Sequence, residues 1–198
     1  TSHCFRPPYF YRLILKQVKD IGYYSLPVVG LTTLFSGMVL ALQSYNGFTR
    51  FSSESAVATV VALSITRELG PVLAGLMVTG RVGSSIAAEL GSMKVSDQVD
   101  ALRILGTNPF DYLIAPRIIA CIVCLPILVL IGDIVGVFGG FLVGVYKLNF
   151  NPAIYLYQTV AYLEPIDIAS GLIKASVFGL LLGLSLIHIS EPTRHERI

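Results

Sequence analysis

The chain has 198 residues, of which 54% are hydrophobic and 13% charged, with a mean hydropathy of +0.74 and a formal net charge of +2. Soluble domains carry roughly 25% charged residues, so this balance excludes a soluble globular protein and identifies an integral membrane protein. With so small a charge and no Lys/Arg run, nucleic acid is excluded as a partner.

The sequence opens on Thr1 without the short apolar core and small-residue cleavage site of a signal peptide. The native amino terminus is therefore expected to lie upstream. From Pro7 to Ile21, Arg12, Lys16 and Lys19 recur at helical spacing on one side, with Phe10, Leu13, Ile14, Gln17 and Ile21 on the other. That pattern predicts a helix lying on the membrane surface, with a frayed soluble leader as the alternative. Tyr23 to Tyr45 is the first candidate span, aromatic at both ends, with Thr33, Gly37 and Ala41 forming a small-residue stripe. Ala56 to Gly80 is the second, and it carries Arg67 and Glu68 at its middle.

Intramembrane charges cost about 2.5–3.5 kcal/mol on insertion scales and usually face a cavity or one another. Arg67 and Glu68 are adjacent, so on a helix they point roughly 100° apart and cannot simply pair with each other. Pro71 lacks the amide that would bond the Arg67 carbonyl, which predicts a freed acceptor and a kink. The result is a bent polar site within an apolar span.

A polar island follows the second span. Arg81, Glu89, Lys94, Asp97, Asp100, Arg103, Asp111 and Arg117 fall within 37 residues. Within it, Ser96 to Leu105 carries helix signals: Ser96 can cap, Asp97 lies in the first turn, and Gly106 with Asn108-Pro109 ends the element. Val99, Leu102 and Leu105 recur every three positions while Asp100 and Arg103 face elsewhere, so the helix can lay one apolar face on a partner.

Ile118 to Tyr146 is a third apolar run, interrupted by Pro126 and carrying Asp133; one tilted span and a bent or re-entrant pair both fit it. Gly132, Gly136, Gly140 and Gly144 repeat every four residues, as do Ala175, Gly179 and Gly183 in the fourth span. Stripes of that kind are helix-packing faces. Between these runs, Asn151-Pro152 reads as a cap and first turn, and Ile154, Tyr155, Tyr157 and Tyr162 predict an interfacial helix in the aromatic belt. Segments 1–22 and 81–117 hold four Lys/Arg each against one each in 44–55 and 147–167, which places the first pair in the cytoplasm.

Cys121-x-x-Cys124 lies inside an apolar run, where thiols act as small hydrophobes. His3, His188 and His195 are too dispersed to ligate a metal, so no metal site and no catalytic residue are expected. The last fourteen residues, SLIHISEPTRHERI, break with the preceding pattern and look like a translated sequencing-adapter peptide. The native sequence is expected to stop near Leu184, giving one incomplete domain at 1–184 and a non-native tail at 185–198; a genuine short cytoplasmic tail is the alternative.

FRPP, SLPVV, the long stretch LSITRELGPVLAGLMVTGRVGSSIAAELGSMKVSDQVDALRILGTNPFDYLIAPR, and GLIKASVFG together resemble the MlaE/YrbE permeases, the membrane subunits of Mce-type lipid ABC transporters. The resemblance covers about Phe5 to Leu184. It implies an all-α polytopic fold with an amino-terminal interfacial helix, five membrane helices, of which about four are present here, and a cytoplasmic coupling helix corresponding to Ser96–Leu105. It further implies a homodimer in the bacterial inner membrane, a separate cytoplasmic ATPase and a periplasmic Mce-domain protein. The implied activity is movement of phospholipid between inner and outer membranes, in support of outer-membrane lipid asymmetry. The family's lipid cavity is lined by the RELGP stretch and the lysine-bearing helix, which makes Arg67, Glu68, Leu69, Pro71 and Lys174 the lipid-binding candidates. No G-x-x-x-x-G-K-[ST] occurs, so this chain is expected to bind no cofactor and ATP to be used by the partner subunit. The competing classes are a proton-coupled carrier using Glu68 or Asp133, and an intramembrane enzyme.

Overall fold

The computed structural model describes residues 11–49, 56–96 and 115–190, together with Gln98 and Ile104. The described residues form helices: α1 Tyr11–Val18, α2 Tyr24–Phe48, α3 Ala56–Ser64, α4 Gly70–Val78, α5 Ser84–Val95, α6 Ala115–Tyr146, α7 Pro152–Ala161 and α8 Pro165–Ser190. Three five-residue π-helical segments, Lys19–Tyr23, Ile65–Leu69 and Thr79–Gly83, join α1 to α2, α3 to α4 and α4 to α5. Four helical stretches among the described residues are long and apolar enough to cross a bilayer: Ile14–Phe48, Ala56–Met93, Pro116–Tyr146 and Pro165–Ser185. The protein is an all-α, multi-pass membrane protein.

Several boundaries differ from the sequence reading. The surface helix and the first span are not separate, because the chain passes from α1 into α2 through one π turn with no loop. The second span continues past Gly80 to Val95, so the polar island begins on a helix. Pro126 does not split the third run, and α6 is one 32-residue helix. A membrane helix tolerates a proline when its neighbours satisfy the freed backbone group. α8 continues through Leu184 to Ser190, while residues 191–198 lie outside the described ones.

Small residues set how closely the helices approach. α6 runs through the centre of the bundle, packed on α2 and α8. A side chain at Gly37 of α2 would overlap the Gly136 carbonyl of α6, so the two backbones touch there. Gly132 faces Val29 and Thr33, Gly140 faces Val61, and Gly144 lies under the Tyr155 ring. On the other side of α6, Gly179 and Gly183 of α8 meet Cys121 and Ile118. The Cys121 and Cys124 thiols are buried in the core, and Cys124 Sγ donates to the Val18 carbonyl at 3.6 Å.

Asn151 caps α7, its Oδ1 accepting from the Ala153 amide at 3.0 Å, as the Asn-Pro pair predicts. Tyr155 is a correction to the aromatic-belt reading: it is buried between Phe141 and Phe150, and burial pushes its phenol up to about 12. Its ring fills the room that Gly144 leaves open. Tyr157 and Tyr162 are exposed, as a belt requires.

Replacing Gly37 with Ala forces the α2 and α6 backbones apart, with an expected loss of about 1–3 kcal/mol. Gly30→Ala, with nothing within 4 Å of the added methyl, leaves stability unchanged. Thermal unfolding of the detergent-solubilised protein measures both, and equal melting temperatures for the two variants would contradict this packing.

Candidate functional site

The site begins with the backbone. Pro71 contributes no amide, and between Ile65 and Leu69 the helix widens to a π segment in which the Gly70 amide bonds the Ile65 carbonyl five residues back. The Arg67 carbonyl receives instead the ammonium of Lys174 from α8, at 2.9 Å. This is the freed acceptor that the proline predicts, met by a side chain 107 residues away.

Lys174 Nζ also donates to Glu68 Oε1 at 2.6 Å. Arg67 turns the other way, with Nε 2.8 Å from Asp167 Oδ1. The two pairs are dissimilar, since the Asp167 side chain is 5% exposed, whereas Arg67, Glu68 and Lys174 are 55%, 69% and 43% exposed. Leu63, Ser64, Arg67, Glu68, Ser170 and Lys174 line an open cavity of about 440 Å³. At about 1.5 Å per residue, Arg67 lies about 17 Å along its helix from Ala56 and Lys174 about 14 Å from Pro165, close to the middle of a bilayer core ~30 Å thick. The arrangement offers two cations, a carboxylate and hydroxyls, with Leu63 as the apolar residue of the lining.

Of the sequence candidates, the structure brings together Arg67, Glu68 and Lys174. Pro71 is buried and acts through the backbone, and neither it nor Leu69 lines the cavity. Asp167 is the residue that sequence reasoning missed. It reads as an acid at a helix start, a role it also fills: Oδ2 accepts the Glu164 amide at 3.2 Å, ahead of Pro165 in the first turn. The overlooked signal is spacing, because Asp167, Gly171 and Lys174 stand at i, i+4 and i+7 on one face of α8. Gly171 lets that face close on the π segment; a Cβ there would sit 2.5 Å from the Thr66 carbonyl.

Asp133 approaches the same segment from α6. Its carboxyl occupies the space that a side chain at Gly70 would need, and its Oδ1 is buried without a hydrogen-bond partner. No group of three His, Cys, Asp or Glu residues placed to hold a metal occurs among the described residues.

The profile of the family described as Permease MlaE matches residues 14–190. The chain belongs to the MlaE permease family. It is 64% identical over 179 residues to a Rickettsia bellii protein named "Probable ABC transporter permease protein", an alignment covering 90% of this chain and 69% of the relative. It is similar to the chloroplastic protein TRIGALACTOSYLDIACYLGLYCEROL 1 of Arabidopsis thaliana, 42% identical over 176 residues, covering 88% of this chain and 50% of the relative. It is also similar to the intermembrane phospholipid transport system permease protein MlaE of Haemophilus influenzae, 38% identical over 169 residues, covering 85% and 65%. The protein is a membrane permease and not an enzyme.

In the permease, the expected coupling helix lies largely outside the described residues, as do Asp97, Val99, Asp100, Leu102, Arg103 and Leu105. Ser96 is described, in the turn after α5, where its Oγ donates back to the Ser92 carbonyl at 2.8 Å. The helices flanking this stretch are tied together by Arg117 of α6, whose buried guanidinium meets Glu89 of α5 at 2.8 Å. Higher up, Arg81 donates to Ser25 Oγ at 2.8 Å and sits over the Tyr24 ring at 5.8 Å, fixing the second helical stretch to the first.

The two ion pairs differ in what their loss leaves behind. Arg67→Gln strands a buried carboxylate at Asp167 and is expected to lower stability by about 3 kcal/mol. Lys174→Gln leaves Glu68 on an exposed side chain lining the open cavity and keeps a donor for the Arg67 carbonyl, so it is expected to cost less than Arg67→Gln. Thermal unfolding of the purified permease distinguishes them, and a larger loss for Lys174→Gln would overturn this asymmetry.

Proposed function

We propose that the permease is the membrane subunit of an ATP-driven transporter that moves phospholipid between the inner and outer membranes of a bacterium and so helps maintain outer-membrane lipid asymmetry. The observation that carries this reading is the polar cavity between the π segment and α8, where Lys174 and Arg67 stand part-way along two helices long and apolar enough to cross a bilayer. A phospholipid presents the matching chemistry, an anionic phosphate on apolar chains. The name of the Haemophilus relative supports the lipid assignment.

We extend the proposal to the partners. An ABC permease works with a separate ATPase, which docks on the cytoplasmic helix at Ser96–Leu105. The functional unit is a homodimer in the inner membrane, joined on the periplasmic side by an Mce-domain protein. The proton-coupled alternative has one observation in its favour, the unpartnered Oδ1 of Asp133. Its other candidate, Glu68, is engaged with Lys174.

Two substitutions test the proposal in the complete complex. Leu102→Asp places a charge in the small docking interface and is expected to abolish copurification of the ATPase while the membrane fold survives. Lys174→Gln is expected to lower co-purifying lipid per assembled complex by several-fold with ATPase association intact. Undiminished lipid in the Lys174 variant would refute the site assignment, and undiminished ATPase recovery with Leu102→Asp would refute the docking assignment.

A further inference from the structure

The cavity holds two cations, yet it is not a cationic site. Lys174 is matched by Glu68 at 2.6 Å and Arg67 by Asp167 at 2.8 Å, so the four side chains sum to zero charge. A site built only to attract anions would leave its cations free. Here each has a carboxylate, and the one on Arg67 is placed with care. Asp167 is buried, does not line the cavity and is held by the Glu164 amide at the first turn of α8. Asp133 reaches the π segment at Gly70 and is likewise absent from the cavity lining.

We infer that Asp167, by balancing Arg67, sets the cavity to prefer a net-neutral, zwitterionic head group over a net-anionic one. The inference rests on the lipid reading given above and specifies which lipids the site takes. A zwitterionic phosphodiester brings its own cation. Its phosphate meets the guanidinium edge of Arg67 and the remaining proton of Lys174, whose other recorded bonds go to the Arg67 carbonyl and Glu68. Its ammonium meets Glu68, the most exposed of the paired side chains. The site stays neutral when filled. A head group of net charge −1 would leave an uncompensated charge within a membrane-spanning segment, where an unpaired charge is costly. Asp167 touches no lipid in this scheme; it is a positioning residue that fixes both the direction and the net charge of Arg67.

The experiment uses the full-length permease assembled with its ATPase, incubated with vesicles of equal parts phosphatidylethanolamine and phosphatidylglycerol, then repurified and its bound lipids quantified by mass spectrometry. Wild type is expected to hold phosphatidylethanolamine in excess. Asp167→Asn, which makes the site net positive, shifts the ratio toward phosphatidylglycerol by about tenfold, and Asp167→Glu restores the wild-type ratio. A purely structural role for Asp167 would change the amount bound but not the ratio. Should Asp167→Asn fail to assemble, Glu68→Gln makes the same change of one charge on an exposed side chain and must shift the ratio in the same direction. Bound lipid in the vesicle proportions for wild type and variants alike would overturn this inference while leaving the lipid reading intact. Wild-type complex carrying no lipid would overturn both.

Discussion

One unmet backbone carbonyl organises the centre of this protein. In an apolar medium a peptide oxygen without a donor costs several kcal/mol, so membrane helices normally satisfy every such group internally. Pro71 breaks that rule for Arg67, and the ammonium of Lys174 restores it from another helix. The lysine is thereby fixed in place, and Glu68 and the cavity wall follow from its position. Arg67, on the same π segment, is turned toward Asp167. A single residue type at one position thus converts a membrane span into one wall of a polar cavity.

The rest of the bundle makes that arrangement possible. α8 can reach the π segment because Gly171 has no side chain, and it packs on α6 through Gly179 and Gly183. α6 in turn presses on α2 where Gly37 meets Gly136. Without a hydrophobic driving force between helices in lipid, such close approach gives the packing its strength. The polar groups then lie between helices whose separation is fixed by small residues. Arg117 and Glu89 tie α6 to α5 on either side of the expected docking stretch. From the cavity at Arg67 the helical path continues unbroken to Val95, next to Ser96 where the expected docking stretch begins.

Much of this was legible in the sequence. The freed carbonyl at Arg67 follows from Pro71 alone, and the mid-span charges announce either a cavity or a packing ion-pair network, because unpaired charges there are costly. The glycine stripes sit against neighbouring helices because a period of four is a property of the helix itself. Asp167 was not legible as a partner of Arg67, since an acid in a first turn is already explained by helix capping. Tyr155 was misread for a similar reason: tyrosine is common both at interfaces and in cores, and only the gap over Gly144 decides between them. The continuity of α1 with α2, and of α4 with α5, was hidden because polar residues within a helix look like a loop when π segments accommodate them.

Transport through this cavity requires a lipid head group to enter between the π segment and α8 and engage Arg67 and Lys174. A high-resolution density map of the complete permease complex in lipid nanodiscs tests it most directly. Phosphate density is expected within hydrogen-bond distance of Lys174 Nζ and the Arg67 guanidinium, with acyl chains leading out past Leu63. Lipid density confined to the outer surface of the bundle, with the cavity filled only by water, would contradict it.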